Sequence, residues 1–158
     1  MAKVRPIPEG YHTATPYLVA ADAAAAIEFY KRAFGAQEIM RIAGPDGRVG
    51  HAEVTIGDSR IMLSDEFPDM GTRGPKMLGG SPVSIYLYVE DVDALTQRAL
   101  AAGAKAVRPV EDKFYGDRSG TLEDPFGHTW HVATHKEDLS ADELRRRADE
   151  FMRQQAAH

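Results

Sequence analysis

Hydrophobic and polar positions predict the same order of elements in both halves of the chain. In the first half, Thr13 to Ala20 alternates like a strand, and a helix with apolar residues at helical spacing follows Asp22 and ends at Gly35. Three strand-like segments come next, separated by Gly, Pro and Asp residues typical of turns: 38–42, 49–56 and 60–64. The pattern therefore predicts a βαβββ module over residues 13–64.

A second βαβββ module is predicted over residues 83–135. Val83 to Val89 favours a strand, and a helix over 92–102 follows Asp91 as its N-cap. Strand-like segments then occupy 106–109, 119–123 and 129–134. An offset of 69 residues places Asp22 on Asp91 and the tyrosine of the first strand on that of the later one. A repeat of this length indicates a duplicated half-domain, and we expect residues 1–158 to form a single domain.

Two further segments lie outside the modules. Residues 65–82 contain four glycines and three prolines and favour a connecting loop, which either covers a site or is a mobile linker. A C-terminal helix is predicted over 137–155, with Ser140 as its cap and an apolar stripe that includes Leu144 and Phe151. That stripe packs either on its own domain or on a partner subunit.

Composition and charge exclude several classes of function. The 158 residues carry a net charge of −5 and no cysteine, so disulfides, thiolate metal ligands and cysteine nucleophiles are absent. The acidic pI of about 5.7 argues against a nucleic-acid-binding surface. The sequence shows neither a targeting signal nor an apolar run long enough for a membrane helix, so we expect a cytoplasmic protein without membrane contact.

Several motifs together resemble one known superfamily. They are Tyr17–Asp22, Ala26–Ala36 and Glu123–His128. The chain resembles the vicinal oxygen chelate superfamily, which includes glyoxalases, bleomycin-resistance proteins and extradiol dioxygenases. Finer motifs are similar to those of its PhnB-like subgroup: Gly50–Glu53, Ile61–Glu66 and Gly116–Gly120. The resemblance covers about residues 10–153.

The resemblance implies a fold and a kind of site. Two βαβββ modules would form an α+β fold in which a curved mixed sheet surrounds a cup, with helices outside and the C-terminal helix added. Many members are homodimers, and some complete each cup with two chains. Members hold a divalent metal, a drug or a substrate in the cup.

Strand parity predicts which side chains line that cup. Polar and aromatic residues share the side of each strand that alternates with the apolar side, as in small-molecule sites. The predicted ligand-binding residues are Thr15, Tyr17, Met62, Ser84, Tyr86 and Arg118. Arg118 stands in a glycine-flanked segment suited to binding a carboxylate or phosphate, or else forms an ion pair with Asp117.

The resemblance also bears on the metal. In metal-dependent relatives, four strands each supply one ligand, and Thr15, Met62, Ser84 and His131 occupy those positions here. Only the imidazole suits a hard or borderline divalent ion, so no metal and no cofactor are expected. A nonstandard divalent site remains open if His51 and Glu53, which share a strand face, lie across the cup from His131.

Two functions follow from these residues. The first is a protein that binds a small molecule in its cup without the usual metal centre, as the homodimer that the resemblance implies. The alternative is an isomerase or lyase in which Glu53 transfers a proton, with His51 or His131 as partner. Whether the chain is an enzyme stays open at this point. His128 is expected to lie on the surface or to stabilise its turn, and His135 to have no special role at its strand end.

Overall fold

Each half of the chain folds as strand, helix and three strands. The computed structural model describes residues 3–158, so the first two residues of the predicted domain lie outside the described residues. The first module contains β1, α1, β2, β3 and β4, which span Tyr17–Ala20, Ala23–Phe34, Gln37–Ala43, Val49–Ile56 and Ser59–Asp65. The short helix α2, Pro75–Leu78, follows it. The second module contains β5, α3, β6, β7 and β8, which span Ser84–Tyr88, Val92–Ala102, Lys105–Asp112, Asp117–Glu123 and Thr129–His135. Helix α4 covers Ala141–Ala156, and the predicted α+β class is confirmed.

Each module forms its own mixed four-stranded sheet. The strand orders are β1-β4-β3-β2 and β5-β8-β7-β6. In both sheets the first strand pairs in parallel with the last strand, and the other neighbours are antiparallel. No backbone hydrogen bond joins β1 to β5 within residues 3–158. The fold therefore contains two related sheets with β1 and β5 as edge strands.

The two long helices begin and end in the same way. The side chains of Asp22 and Asp91 each accept a hydrogen bond of 3.0 Å from the amide three residues further on. Gly35 and Gly103 end the helices with φ angles of 68° and 119°, in the left-handed region that glycine adopts without a steric penalty. These local signals explain why the sequence located both helices correctly.

A second contact fixes each helix to the end of its sheet. Asp65, at the end of β4, accepts hydrogen bonds from the amides of Ala23 (2.7 Å) and Val49 (2.6 Å). Thr134, its equivalent in the repeat, accepts a bond of 2.9 Å from the amide of Val92. Both side chains satisfy a free amide in the first turn of a helix, so the duplication preserved this function although the residue type changed.

One hydrophobic core lies between the sheets and their helices. The apolar side chains of β3, β4, β7 and β8 pack against α1 and α3, which also contact each other. Tyr30 and Phe34 of α1 reach the second module, where their ring centroids lie 5.3 Å and 4.7 Å from that of Trp130. The aromatic contacts join the two modules into one core.

The carboxylate of Asp124 lies inside this joint. It accepts hydrogen bonds of 2.9 Å from the Tyr30 hydroxyl, the Trp130 indole and the amides of Phe126 and His128. Burial by itself would raise the pKa of Asp124, but contacts from the His128 side chain and the Trp130 indole outweigh it and lower the pKa. Burial and then the charge of Asp124 raise the pKa of Tyr30, so its hydroxyl remains a donor. The ionised carboxylate is therefore satisfied by groups from both modules.

The segment between the modules has more structure than a loop. It contains a 3-10 turn over Pro68–Met70, an isolated bridge between Phe67 and Thr72, and α2. Within residues 3–158, no helix is both long enough and apolar enough to cross a membrane.

Helix α4 begins at Ala141 rather than at residue 137. Ser140 is its N-cap, since its hydroxyl accepts a hydrogen bond of 3.1 Å from the Glu143 amide. It contacts the second module through the rings of Phe151 and Phe114, whose centroids are 4.9 Å apart. Met152, in the same apolar stripe, stays 71% exposed. Arg147 adds hydrogen bonds to the Phe114 carbonyl oxygen at 3.3 Å and to Glu137 at 2.6 Å, while much of the apolar stripe remains uncovered.

Replacing Asp124 with Asn should destabilise the protein, because the amide cannot accept four donors as an ionised carboxylate does. We expect the free energy of unfolding at pH 7 to fall by about 2 kcal/mol or more. Urea unfolding monitored by circular dichroism measures this difference. Asp149→Asn, at an exposed position of α4, is the matched control and should change stability by less than about 0.5 kcal/mol.

The stability difference between wild type and Asp124→Asn depends on pH in a direction that follows from the pKa of Asp124. Since the pKa of Asp124 is lowered by folding, the advantage of wild type over Asp124→Asn is complete above the unfolded pKa of about 4. It is then lost as the pH falls through the folded-state pKa. A constant difference down to strongly acidic pH would contradict this account.

Candidate functional site

The face of each sheet turned away from the helices carries polar and aromatic side chains. We call these the first open face, which includes Tyr17, His51, Glu53 and Met62, and the second open face, which includes Ser84, Tyr86, Ser119, Thr121 and His131. The strand parity expected from the sequence places the apolar partners of these residues in the core.

On the first open face, His51 connects a phenol to a carboxylate. Its Nδ1 lies 2.9 Å from the Tyr17 hydroxyl, and its Nε2 lies 3.7 Å from Oε2 of Glu53. Met62 is the register partner of both Tyr17 on β1 and Glu53 on β3. Thr15 precedes β1 and is half-buried. The predicted pair His51 and Glu53 therefore has a third member, Tyr17, within hydrogen-bonding distance.

On the second open face, His131 is held between two hydroxyls. Its Nε2 lies 3.0 Å from Oγ of Ser84, and its Nδ1 lies 3.1 Å from Oγ1 of Thr121. The Tyr86 ring stacks on the imidazole with 5.7 Å between centroids and 29° between planes. Both ring nitrogens and one ring face of His131 are thus fixed by residues of the two neighbouring strands, β5 and β7.

A buried aspartate beside this group was not identified from the sequence. Asp117 is only 5% exposed and accepts hydrogen bonds from the hydroxyls of Tyr86 (3.1 Å) and Tyr88 (3.0 Å). Its other oxygen lies 2.8 Å from Nδ1 of His135, whose Nε2 lies 2.8 Å from Asp138. Asp117 has the same parity as Ser119 and Thr121, so a strand predicted from residue 117 rather than 119 would have placed it on this face.

This network changes the protonation of its members. Burial, and then the neighbouring Tyr115, raise the pKa of Tyr86, while the hydrogen bond to Asp117 is the main cause that raises the pKa of Tyr88. Hydrogen bonds to Asp117 and then to Asp138 raise the pKa of His135. The tyrosines therefore remain hydrogen-bond donors, and His135 is a proton-binding group rather than an inert residue at a strand end.

Each open face has its own cavity. The second one encloses about 260 Å³ over Ser119–Thr121, with Tyr86 and His131 beside it and Arg108, Lys113 and Tyr115 at its edge. The first one encloses about 530 Å³ between Tyr17, Val19 and Ser64 and the segment over residues 67–73. The two cavities share no residue. Within residues 3–158, no hydrogen bond or ion pair joins His131 to His51 or Glu53, which lie on different sheets.

Of the predicted ligand-binding residues, Arg118 lies furthest from its expected position. It lies within β7 rather than in a loop, on the face opposite to Asp117. Its guanidinium forms ion pairs with Asp93 of α3 at 2.8 Å and with Asp112 at 3.3 Å. The hydrogen bonds to these two carboxylates raise the pKa of Arg118. The structure therefore does not bring Arg118 together with the open-face residues, and its carboxylate partners are other than the predicted Asp117.

The donor set at the four family metal positions does not fit a divalent ion. It consists of the hydroxyls of Thr15 and Ser84, the thioether of Met62 and the imidazole of His131. A thioether is a soft ligand and neutral hydroxyls are weak ones, whereas Zn²⁺ is bound by thiolate, imidazole or carboxylate and Mn²⁺ and Mg²⁺ by carboxylate, imidazole or water. In the part of the chain that the structure describes, no group of three or more His, Asp and Glu side chains is placed to hold a metal ion.

Comparison with known proteins shows a family model that matches most of the chain. Residues 11–132 match the model of the Glyoxalase/Bleomycin resistance protein/Dioxygenase superfamily. The chain is 47% identical over 133 residues to the uncharacterized protein Mb0911c of Mycobacterium bovis, which covers 82% of this chain and 88% of that protein. The uncharacterized protein At5g48480 of Arabidopsis thaliana is 31% identical over 127 residues, covering 75% of this chain and 74% of that protein.

Solved structures show the same fold. The crystal structure of TioX from Micromonospora sp. ML1 has 25% identity and a TM-score of 0.60, covering 82% of this chain and 100% of TioX. The Arabidopsis thaliana gene product At5g48480 superimposes with a TM-score of 0.62, over 78% of this chain and 98% of that one.

His135→Gln should lower stability in a pH-dependent way. Because folding raises the pKa of His135, its contribution is complete below the unfolded pKa of about 6.5 and is lost as the pH rises through the folded-state pKa. The difference in free energy of unfolding between wild type and variant should therefore be larger at pH 5.5 than at pH 9, as measured by urea unfolding at both pH values. His12→Gln, at an exposed position, serves as the control, and an equal difference at both pH values would refute the role of His135.

Proposed function

Because the chain belongs to the glyoxalase/bleomycin resistance protein/dioxygenase superfamily, we propose that it binds a small organic molecule on its second open face without a divalent metal. The observation that supports this proposal is the fixed group of Ser84, Thr121 and His131, over which the Tyr86 ring stacks. Small-molecule sites combine aromatic surface with a few oriented polar groups, and this group supplies both.

The geometry favours a ligand with polar groups at its edge. The hydroxyl and imidazole groups can donate or accept hydrogen bonds, and Arg108 and Lys113 add positive charge beside the cavity. Asp117 accepts hydrogen bonds from the hydroxyls of Tyr86 and Tyr88, so the tyrosine rings have a fixed orientation before a ligand binds. A binding surface that is already ordered loses less entropy when the ligand binds.

A homodimer is part of the proposal. The tyrosines of the two open faces stay partly uncovered in one chain: Tyr17 is 49%, Tyr86 41% and Tyr88 64% exposed. A second copy that places its first open face opposite the second open face would cover these rings and close a cup from two chains. Sedimentation velocity of the purified chain tests the pairing. The cytoplasmic location expected from the sequence stays a prediction.

Replacing either Ser84 or His131 should weaken ligand binding to the second open face. A thermal-shift screen of small organic acids, amines and zwitterions first identifies a ligand by the rise in Tm that binding causes. Ser84→Ala and His131→Asn should then each weaken that ligand by about tenfold in titration calorimetry, since each removes a hydrogen bond in a partly dry site. EDTA should leave the affinity unchanged, because no metal takes part.

The matched control is Ser59→Ala, which removes an exposed hydroxyl at the start of β4. Wild-type affinity in both open-face variants would reject the second open face as the binding site. A loss of affinity after EDTA treatment that Zn²⁺ or Mn²⁺ restores would reject binding without metal.

One observation favours the alternative, proton-transfer catalysis on the first open face. Tyr17, His51 and Glu53 lie in a line, with a hydrogen-bond distance of 2.9 Å between the first two and an ion-pair distance of 3.7 Å between the last two. Such a line can move a proton to or from a substrate if Glu53 acts as the base. His131 belongs to the other sheet and would join this group only through a second chain.

Glu53→Gln distinguishes the two functions. If Glu53 is a general base, the substitution should lower turnover of any substrate found by at least about a hundredfold and leave ligand affinity within about twofold. If the protein only binds, no turnover is present to lose, and the affinity of a ligand on the second open face stays that of wild type. Steady-state assays combined with calorimetry on the same preparation provide both quantities.

A further inference from the structure

A further cavity lies where the two modules meet, and it shares Tyr17, Val19 and Arg73 with the cavity of the first open face. It encloses about 280 Å³ between the edge strands β1 and β5, and we call it the seam pocket. Pro16–Val19 form one side, Val83 and Ile85 the other, and His128 and Thr129 close one end. The segment from Arg73 to Pro82 covers it.

The cover is fixed to the first sheet. The Gly74 amide donates to Oε1 of Glu66 at 3.1 Å, and a Cβ at Gly74 would lie 3.0 Å from the carbonyl oxygen of Val19. Only glycine allows this approach of the segment to β1. Of the two roles open for residues 65–82, covering a site therefore has structural support.

The walls of the seam pocket are largely apolar. Leu18 and Ile85 lie at its base, and Leu78 and Val83 stay 63% and 70% exposed at its mouth. Exposed aliphatic side chains that surround a cavity favour an apolar ligand group there. The volume is slightly below the roughly 300 Å³ at which sites for drug-sized ligands begin, so it suits a small molecule.

Arg73 supplies a positive charge at the same cavity. The side chain is exposed and makes no hydrogen bond or ion pair within residues 3–158. The neighbouring arginines are engaged, since Arg48 lies over the Phe67 ring at 4.4 Å and Arg60 over the Tyr11 ring at 5.1 Å. The five donors of the Arg73 guanidinium therefore remain available to a ligand.

His128 supplies the second polar group. The sequence predicted that His128 lies on the surface or stabilises its turn, and the surface position is wrong, because the residue is only 7% exposed. Its backbone amide donates to Asp124 within the turn, whereas Nδ1 of its imidazole makes no hydrogen bond within the described residues. Nδ1 lies 3.5 Å from Oδ2 of Asp124, longer than a normal hydrogen bond, on a carboxylate that already accepts four other donors. A ring N–H of this side chain can be donated to a ligand oxygen in the seam pocket.

We propose that the seam pocket binds a small apolar carboxylic acid, whose carboxylate interacts with Arg73 and His128. The apolar walls take up the aliphatic or aromatic part of the acid. The guanidinium provides a planar pair of donors for the carboxylate. This site is independent of the function proposed for the second open face, because the two cavities share no residue.

Benzoate and hexanoate are suitable probes, with benzamide as the neutral analogue of benzoate. In ¹⁵N–¹H spectra of the full chain, both acids should shift the amide resonances of Val83, His128 and Thr129. Benzamide should bind at least about tenfold more weakly than benzoate, because it lacks the charge that Arg73 recognises. Arg73→Gln should weaken benzoate about tenfold and leave benzamide unchanged.

Arg145→Gln, at an exposed position of α4, is the matched control and should bind benzoate like wild type. His128→Gln should also weaken benzoate, and its thermal unfolding shows whether the loss reflects the site or the fold. Equal binding of benzoate and benzamide, or an unchanged affinity in Arg73→Gln, would overturn the proposal. Amide chemical-shift changes confined to Ser119 and Thr121, or no change with either acid, would overturn it as well. A finding that the second open face binds no ligand would not affect this proposal.

Discussion

The buried carboxylate of Asp124 is the contact on which the arrangement of the two modules depends. An ionised carboxylate can be buried only if its lone pairs are satisfied, and here the donors come from α1 as well as from the turn that carries the aspartate. Tyr30 therefore has to reach Asp124 across the core, beside Trp130. This requirement fixes α1 against the second sheet more specifically than apolar packing alone would, because a hydrogen bond has direction and apolar burial does not.

The same joint determines where cavities can form. With α1 and α3 filling the space between the modules, the edge strands β1 and β5 leave the seam pocket between them. The polar sides of both sheets face away from this joint and stay open. The seam pocket adjoins the first open face at Tyr17, and His128 places the seam pocket next to the carboxylate that organises the core.

The duplicated modules kept their framework and changed their chemistry. Positions that cap helices are equivalent in both halves, as Asp22 and Asp91 show, whereas the open-face positions of Met62 and His131 differ completely. Framework positions are constrained by backbone amides that every copy must satisfy. Open-face positions contact mainly ligand or solvent, so they can diverge. This difference is consistent with a superfamily in which one fold carries several chemistries.

Local signals in the sequence were enough to determine the helices and strands of the two modules, their order and the side of each strand that carries polar groups, but not the short helix α2. The aspartate caps, the terminal glycines and the alternation along β3 and β5 each act within a few neighbouring residues, so they can be read without the fold. The same patterns identified Tyr17, His51, Glu53, Ser84, Tyr86 and His131 as residues of polar faces.

Tertiary structure alone decided which of these residues meet. His51 and Glu53 join Tyr17 on one sheet, His131 joins Ser84 and Thr121 on the other, and Arg118 turns to α3. The roles of Asp117 and Asp124 also depend on partners 29 or more residues away along the chain. No local pattern encodes such distances, because they follow from how two twisted sheets pack around shared helices. The sequence by itself therefore determined which side chains lie on each face of a strand. Packing of the tertiary structure determined which other residues those side chains contact.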